Sequence, residues 1–376
     1  MALHAPLGRA AGYKYTLIAQ PDAQLGTPLS FSVSMNEQGV VAFIALQAGH
    51  NAILRGSGGP LATVAVDDPS AGDTIGAAPS INVALSVAFA GMRSSVAGVY
   101  VARNGLAPAT LYDASGPLKT LGDPVINGAE EVVFRATTDS DAAFIAIGDG
   151  SAPAAAIADE TLGTLGIPVS LNASGTTAFT ATTPGGVTSV VRASRSDSTP
   201  IADDSAGGGI CCIAGAPTLN DSGVVAFAAR REVGVGPPAA AILKGSGGDL
   251  AVVVDELGPF DALTRPIINA AGRVAFLGTL DSGEQGIWTG PDPVRNKVIQ
   301  SGDPLFGLPV RGVLLGAFDA AGQVAFGATL DDGSLLGKSV VVRADPAPEP
   351  AASPAALLVL AALVGLSRIR APGPPR

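Results

Sequence analysis

Acidic residues recur after a short apolar run, and they are the first candidates for chemistry. They are Asp22, the pairs Asp67-Asp68, Asp159-Glu160, Asp203-Asp204 and Asp255-Glu256, and the single residues Asp113 and Asp303. Carboxylate oxygens on neighbouring turns could bind Ca²⁺ or attract a cationic partner, and Asp68, Asp204 and Asp255 are the candidate ligands. Aspartate is also a common turn residue, because its side chain accepts a backbone hydrogen bond two residues on. The pattern therefore fits a structural role as well.

The sequence does not show a clear pattern for any of the common catalytic sites. Paired carboxylates could hydrolyse a glycosidic bond, but the repetition of the acidic turn singles out no pair. The two histidines, His4 and His50, lack Cys or Glu neighbours at the spacing of zinc ligands. No Gly-x-Ser-x-Gly elbow is present, and the GSGG segments at 56–59 and 245–248 lie between apolar runs without a following Gly-Lys-Ser/Thr. We expect no enzyme and no cofactor beyond a weakly indicated Ca²⁺.

Charge and cysteine content narrow the range of partners. The net charge of -10 leaves no basic stripe for phosphate groups, so we expect no nucleic-acid partner. Cys211 and Cys212 are adjacent and cannot link distant segments. They are two ordinary thiols or, with strained local geometry, a vicinal disulfide.

A motif of the type Asn-x-x-Gly-x-Val-Ala-Phe occurs seven times, and it organises the chain. In every copy an Asn or Asp precedes a Phe by seven positions. The pairs are Asn36 and Phe43, Asn82 and Phe89, Asn127 and Phe134, Asn172 and Phe179, Asn220 and Phe227, Asn269 and Phe276, and Asp319 and Phe326. Asn-x-x-Gly predicts a hairpin turn, because Asn can bond its own backbone and Gly adopts a positive φ. Position four is Leu85 in the second copy and Glu130 in the third, so these two hairpins are expected to turn differently.

The residues around each motif predict four short antiparallel strands per repeat. With 49 Gly, 29 Pro and only 5% aromatic residues, the composition is typical of an all-β chain with many turns. A sheet this small exposes two apolar faces, and radial stacking of copies buries both. The sequence therefore predicts a seven-bladed β-propeller over residues 13–345. Its last blade is completed by the first strand, 13–19, lying beside 340–342, with an open solenoid as the alternative.

The composition changes abruptly after residue 345. Residues 346–354 are a Pro-rich linker, and residues 355–376 hold an apolar run, Ala355 to Leu366, followed by Arg368 and Arg370. With its flanks the run is just long enough to predict one transmembrane helix, with the arginines on the cytoplasmic side. The first residues, 1–12, predict a disordered leader without the apolar core of a signal peptide. An exported protein needs such a peptide, so we expect that the true start lies upstream or that the chain is a fragment. The alternative is a cytoplasmic protein with an adventitious apolar tail.

The tail resembles the PEP-CTERM sorting signal, through Pro348-Glu349-Pro350, the single marginal helix, and Arg368 and Arg370. The body resembles exported proteins with tandem NxxGxVAF repeats. These resemblances imply an exosortase as processing partner, anchoring in the inner membrane before processing, and a final place in the cell envelope or outside the cell. The working hypothesis is a non-enzymatic binding or structural module for polysaccharide or an envelope protein. The alternative is an extracellular hydrolase or lyase that uses acidic residues of the propeller rim or axis.

Overall fold

A computed structural model describes residues 12–22, 25–26, 30–76, 78–151, 154–167 and 170–347. Within these ranges the regular structure is β-strand, apart from 3₁₀ turns at Pro69–Ala71 and Glu160–Leu162. The strands of the first half are β1 Tyr13–Ala19, β2 Ser30–Met35, β3 Val41–Gln47, β4 His50–Gly56, β5 Ala62–Val66, β6 Thr74–Ile75, β7 Ser80–Ile81, β8 Val87–Arg93, β9 Val96–Ala102, β10 Ala109–Asp113, β11 Leu118–Leu121, β12 Val125–Ile126, β13 Val132–Thr138, β14 Ala143–Gly148 and β15 Ala155–Asp159. Those of the second half are β16 Thr164–Leu165, β17 Thr177–Thr182, β18 Thr188–Ala193, β19 Ser198–Asp203, β20 Ile210–Leu219, β21 Val225–Arg231, β22 Ala239–Gly245, β23 Ala251–Asp255, β24 Phe260–Ile268, β25 Val274–Leu280, β26 Gln285–Trp288, β27 Lys297–Gln300, β28 Pro304–Leu305, β29 Leu308–Phe318, β30 Val324–Leu330 and β31 Lys338–Pro346.

The strands form seven antiparallel sheets, one for each motif copy. In chain order the blades are β2–β5, β6–β10, β11–β15, β16–β19, β20–β23, β24–β27, and β28–β31 with β1. Each motif lies between the inner strand or strands of its blade and the next strand outward, which carries the motif Phe. The predicted all-β seven-bladed propeller is therefore confirmed.

The last blade is closed by the two ends of the described chain. β1 pairs antiparallel with β31, with Tyr13 opposite Pro346 and Leu17 opposite Val342. The Tyr15 hydroxyl also donates to the carbonyl oxygen of Val298 in the preceding blade, at 2.6 Å. Closure leaves β31 bonded on both sides and removes the open ends that a solenoid would keep.

Two blades depart from the regular four strands at their inner edge, and the last adds a short hairpin. The inner strand is split into β6 and β7 in the second blade and into β11 and β12 in the third. In the last blade β28 pairs with the start of β29. The prediction of four strands in every blade is therefore corrected for these three blades.

The motif phenylalanines lie between blades. Their exposed fractions run from 0% to 3%. Phe227, for example, packs in one cluster with Ala178 and Val190 of the preceding blade. Because small Ala and Val side chains cover the sheets, each Phe fills the space that stacking would otherwise leave empty.

The expectation that copies two and three turn differently is wrong. Leu85 and Glu130 both have a φ of 63°, in the left-handed region where the equivalent glycines lie. The backbone N–H of Leu85 donates to the carbonyl oxygen of Asn82 at 3.1 Å, and that of Glu130 to Asn127 at 3.2 Å, as in the glycine copies. The Asn therefore determines the turn, and Gly is only the least strained occupant of position four.

The segment predicted to cross the membrane, residues 355–376, lies outside the described residues. Among the described residues, no helix has the length and apolar character needed to cross a membrane.

Candidate functional site

The motif Asn side chains hold their own turns. The Oδ1 atom of Asn220, for instance, accepts from the backbone N–H groups of Ser222 and Val224, at 3.1 and 3.0 Å. The seven side chains are 3% to 6% exposed, so these bonds are shielded from water. The sequence predicted this local role.

The same side chains also link each blade to the next, which sequence reasoning missed. In six copies the amide Nδ2 donates to the backbone carbonyl oxygen of the next motif Asn or Asp. The distances are 2.9 Å from Asn36 to Asn82, 3.0 Å from Asn82 to Asn127, 3.1 Å from Asn127 to Asn172, 3.4 Å from Asn172 to Asn220, 3.2 Å from Asn220 to Asn269 and 2.8 Å from Asn269 to Asp319. A side-chain amide can accept within its turn through Oδ1 and donate across the gap through Nδ2, whereas an ionised carboxylate can only accept, which favours Asn at this position.

The seventh copy carries Asp319 and lacks this link. Its Oδ1 accepts from the backbone N–H of Gln323 at 2.7 Å, while its buried Oδ2 has no hydrogen-bond partner among the described residues. Burial, with a smaller contribution from the nearby Glu37 carboxylate, raises the pKa of Asp319 to about 6. Glu37 accepts from the backbone N–H of Ala320 at 3.0 Å and so ties the last turn to the first.

A second set of links runs from basic side chains on the third strands. Arg192 donates to the carbonyl oxygen of Gly223 at 3.0 Å, and Lys244 to that of Gly272 at 2.7 Å. Arg55 and Arg343 make the same contact with Leu85 and Gly39. All four bases stand opposite an Ala of the motif strand, so one register position supplies them. That recurrence is the signal that could have identified them.

An axial cavity of about 720 Å³ lies where the inner strands of all seven blades converge. Its walls are apolar side chains, small residues and hydroxyl groups. They are Ser34, Met35, Ser80, Ile81, Val125, Ile126, Ser170, Leu171, Gly215, Ala216, Thr218, Leu219, Thr264, Arg265, Pro266, Ile267, Ile268, Leu277, Leu314, Gly316, Ala317 and Phe318. Of the described residues that line it, only Arg265 is charged.

Several wall hydroxyls are occupied in joining blades. Ser80 accepts from the backbone N–H of Ile126 at 3.2 Å, and Ser170 from that of Leu219 at 3.0 Å. Thr218 accepts from Ile268 at 3.1 Å. The exception is Ser34, whose buried Oγ has no hydrogen-bond partner among the described residues.

The acidic turns are mostly occupied by local bonds. Asp68 accepts from Ser70 and Ala71 and caps a 3₁₀ turn, and these bonds, first that from the Ser70 hydroxyl, lower its pKa. Asp204 accepts from the Thr188 N–H at 2.6 Å, and Asp255 lies 2.5 Å from Arg231. The three candidate ligands belong to different blades, and among the described residues no cluster of three His, Cys, Asp or Glu side chains could hold a metal. Calcium binding stays a prediction.

The other residues considered from sequence lie apart from the axis. His50 lies 3.4 Å from Asp67 on the first blade. Cys211 and Cys212 are free thiols with their sulfur atoms 3.1 Å apart. The sorting residues Pro348, Glu349, Pro350, Arg368 and Arg370 lie outside the described residues.

Comparisons with known proteins identify the architecture only. Residues 211–342 match a family of unknown function, DUF7453, over about a third of the chain. A search of curated proteins gave no match. An oligogalacturonate lyase in complex with manganese superposes with a TM-score of 0.58 and 11% identity, covering 90% of this chain and 98% of its own. The β-propeller domain of the Trilobed protease from Pyrococcus furiosus gives 0.52 and 10%, covering 87% and 94%. The polysaccharide lyase Uly1 gives 0.51 and 9%, covering 89% and 92%. At such identities the similarity shows the propeller fold alone.

Proposed function

We propose that this protein is an exported binding module of the cell envelope or extracellular space that holds its ligand in the axial cavity and does not catalyse a reaction. The main support for this proposal is the set of residues that line the cavity. It is large enough for a small ligand or the end of a polymer, and its walls are formed by all seven blades.

The absence of acid and base groups from the walls supports binding over catalysis. Hydrolysis or elimination needs a group that moves a proton at the reacting atom. Of the described lining residues none is Asp, Glu, His, Cys or Lys, and the ionisable group present is an arginine, which stays protonated. The acidic residues that the alternative would use lie in turns between strands and mostly bind their own backbone.

Location is proposed from the tail. The resemblance of residues 346–376 to a PEP-CTERM signal supports a route through the inner membrane and processing by an exosortase. An extracellular polysaccharide or an envelope protein is then the partner that the module would meet.

Binding is tested by titrating the purified propeller with neutral and acidic oligosaccharides and short peptides in a calorimeter. The variant Ala216→Trp fills the cavity, and Ala84→Trp places the same side chain on an exposed turn as control. We expect Ala216→Trp to abolish binding and Ala84→Trp to retain it, with both melting as the parent does. Binding that survives the filled cavity would contradict the axial site. Steady release of unsaturated or reducing sugar would favour the enzyme instead.

Location is tested by fractionating native cells with an antibody to the propeller, beside a mutant that lacks residues 346–376. The full chain should appear in the envelope or medium, and the truncated chain should be sorted differently. Retention of both forms in the cytoplasm would overturn the proposed location.

A further inference from the structure

We propose that Arg265 makes the axial cavity a site for ligands that carry a carboxylate group. This inference rests on the proposed function, because it names the chemical class that the axial site accepts.

The first observation is that Arg265 is isolated. Its guanidinium donates to the carbonyl oxygen of Leu315 in the next blade at 3.3 Å, and no carboxylate of the described residues lies within ion-pairing distance. A guanidinium has five N–H donors in a planar fork, and the bond to Leu315 uses one of them. Arg265 is the one charged group among the described residues that line the cavity.

The second observation is the backbone that carries this side chain. Arg265 has a φ of 49°, although it is not glycine, and it lies in a bulge between Thr264 and Ile267. Left-handed backbone at a non-glycine residue is strained, and such strain is concentrated where a side chain must be aimed. Similar bulges occur in the inner strands of the fifth and seventh blades, and in the sixth blade the bulge carries Arg265, which lines the cavity.

The surroundings favour a carboxylate over a bare ion. Ile267 and Leu314 supply apolar wall beside Arg265, whose side chain is exposed to the cavity. Partial desolvation lowers the pKa of Arg265 without making it neutral. A carboxylate matches the guanidinium fork with two parallel hydrogen bonds.

The experiment compares matched ligands with and without the acid group. Digalacturonate against its neutral methyl ester tests a sugar carboxylate, and acetyl-dialanine against its amide tests a peptide carboxylate. We expect one acid to bind, Arg265→Gln to weaken it by roughly 10- to 100-fold, and Arg265→Lys to weaken it less. Arg295→Gln, which removes an exposed charge away from the cavity, should leave the affinity unchanged.

A structural role for Arg265 is separated by Arg265→Gly. This change relieves the positive φ, so the melting temperature should hold or rise while affinity for the acid falls. Loss of folding in both Arg265→Gly and Arg265→Gln would overturn the assignment. Equal binding of acid and neutral ligand, sensitive to Ala216→Trp but not to Arg265→Gln, would reject the carboxylate site and leave the binding module standing. No binding by any probe would reject both.

Discussion

Six junctions between blades are made by an amide, and the seventh is made by a carboxyl group. From Asn36 to Asn269 each motif side chain donates to the next blade, whereas Asp319, which faces the first blade, has no such donor when ionised. The closing junction shares the base-to-carbonyl contact, here Arg343 to Gly39, with three other junctions, and Glu37 is also bound to Ala320 there. Within the last blade, β1 pairs with β31 and so holds the chain that leads into the first blade. The propeller thus closes without the amide link at this junction.

The largest expected effect comes from removing the motif Phe, which packs between blades at both kinds of junction. Phe227 and Phe326 are 1% and 0% exposed, in a middle blade and in the closing blade. Replacing either by Ala should cost about 3–5 kcal/mol of unfolding free energy, because each leaves a cavity between blades. Denaturant unfolding measures it. A much smaller cost at Phe326 would show that the closing blade is loosely packed, and little cost at either would contradict the wedge role.

Converting a middle junction into the closing type should be the next largest effect. Asn220→Asp removes the donor to Asn269 and places a carboxylate at a site that is 5% exposed. We expect the free energy of unfolding to fall by about 3 kcal/mol at pH 8, because the hydrogen bond is lost and a charged carboxylate replaces a neutral amide at a buried site. Ser222→Asp, which adds the same charge at an exposed position of the same turn, serves as the charge control. An equal loss from both substitutions would assign the effect to charge alone.

The reverse substitution, Asp319→Asn, should stabilise the protein and do so only above acidic pH. The folded pKa of about 6 lies above the ordinary value of 3.8, so folding favours the protonated carboxyl. The stability that Asp319 contributes is then full below pH 4 and is lost as pH rises through 6. Asp319→Asn should therefore gain about 2–3 kcal/mol at pH 8 and almost nothing at pH 4. Melting curves of both proteins across this range measure it, and a gain independent of pH would contradict the titration.

The smallest expected effect concerns position four of the turn. Gly272 has a φ of 73° and open space where a Cβ would lie, so Gly272→Ala isolates backbone strain. A loss of about 1–2 kcal/mol is expected, as for any non-glycine residue in this region. Gly59 also has open space but no positive φ, and Gly59→Ala should change stability little. Equal effects at the two positions would mean that the turn does not impose strain.

The features that repeat along the chain could be predicted from the sequence. Seven Asn-to-Phe spacings were enough for the blade count, the buried Phe and the closure by residues 13–19. It did not predict that the Asn amide reaches the next blade, because that contact joins residues 45 to 50 positions apart. It also misjudged Leu85 and Glu130, since the rule that Gly favours positive φ was applied without the bonds by which Asn holds the turn.

The candidate site was harder to predict because it depends on exceptions to the repeat. Arg265 is a charged residue within an inner strand whose counterparts in other blades carry hydroxyl or small side chains at the cavity wall. Aligning the seven copies reveals the Asn and Phe that they share. It does not reveal Arg265, which occurs in one copy only. The acidic turns, which do repeat, proved to be mostly backbone caps in the described structure.

The position of β31 has a mechanical consequence. The last described residue is Ala347, whose backbone N–H donates to the carbonyl oxygen of Gly12 at 2.7 Å. A force applied to the chain at this end acts on β31, which is hydrogen-bonded to β30 on one side and to β1 on the other. Two hydrogen-bond ladders share that load, whereas a final strand at the rim would resist it with one.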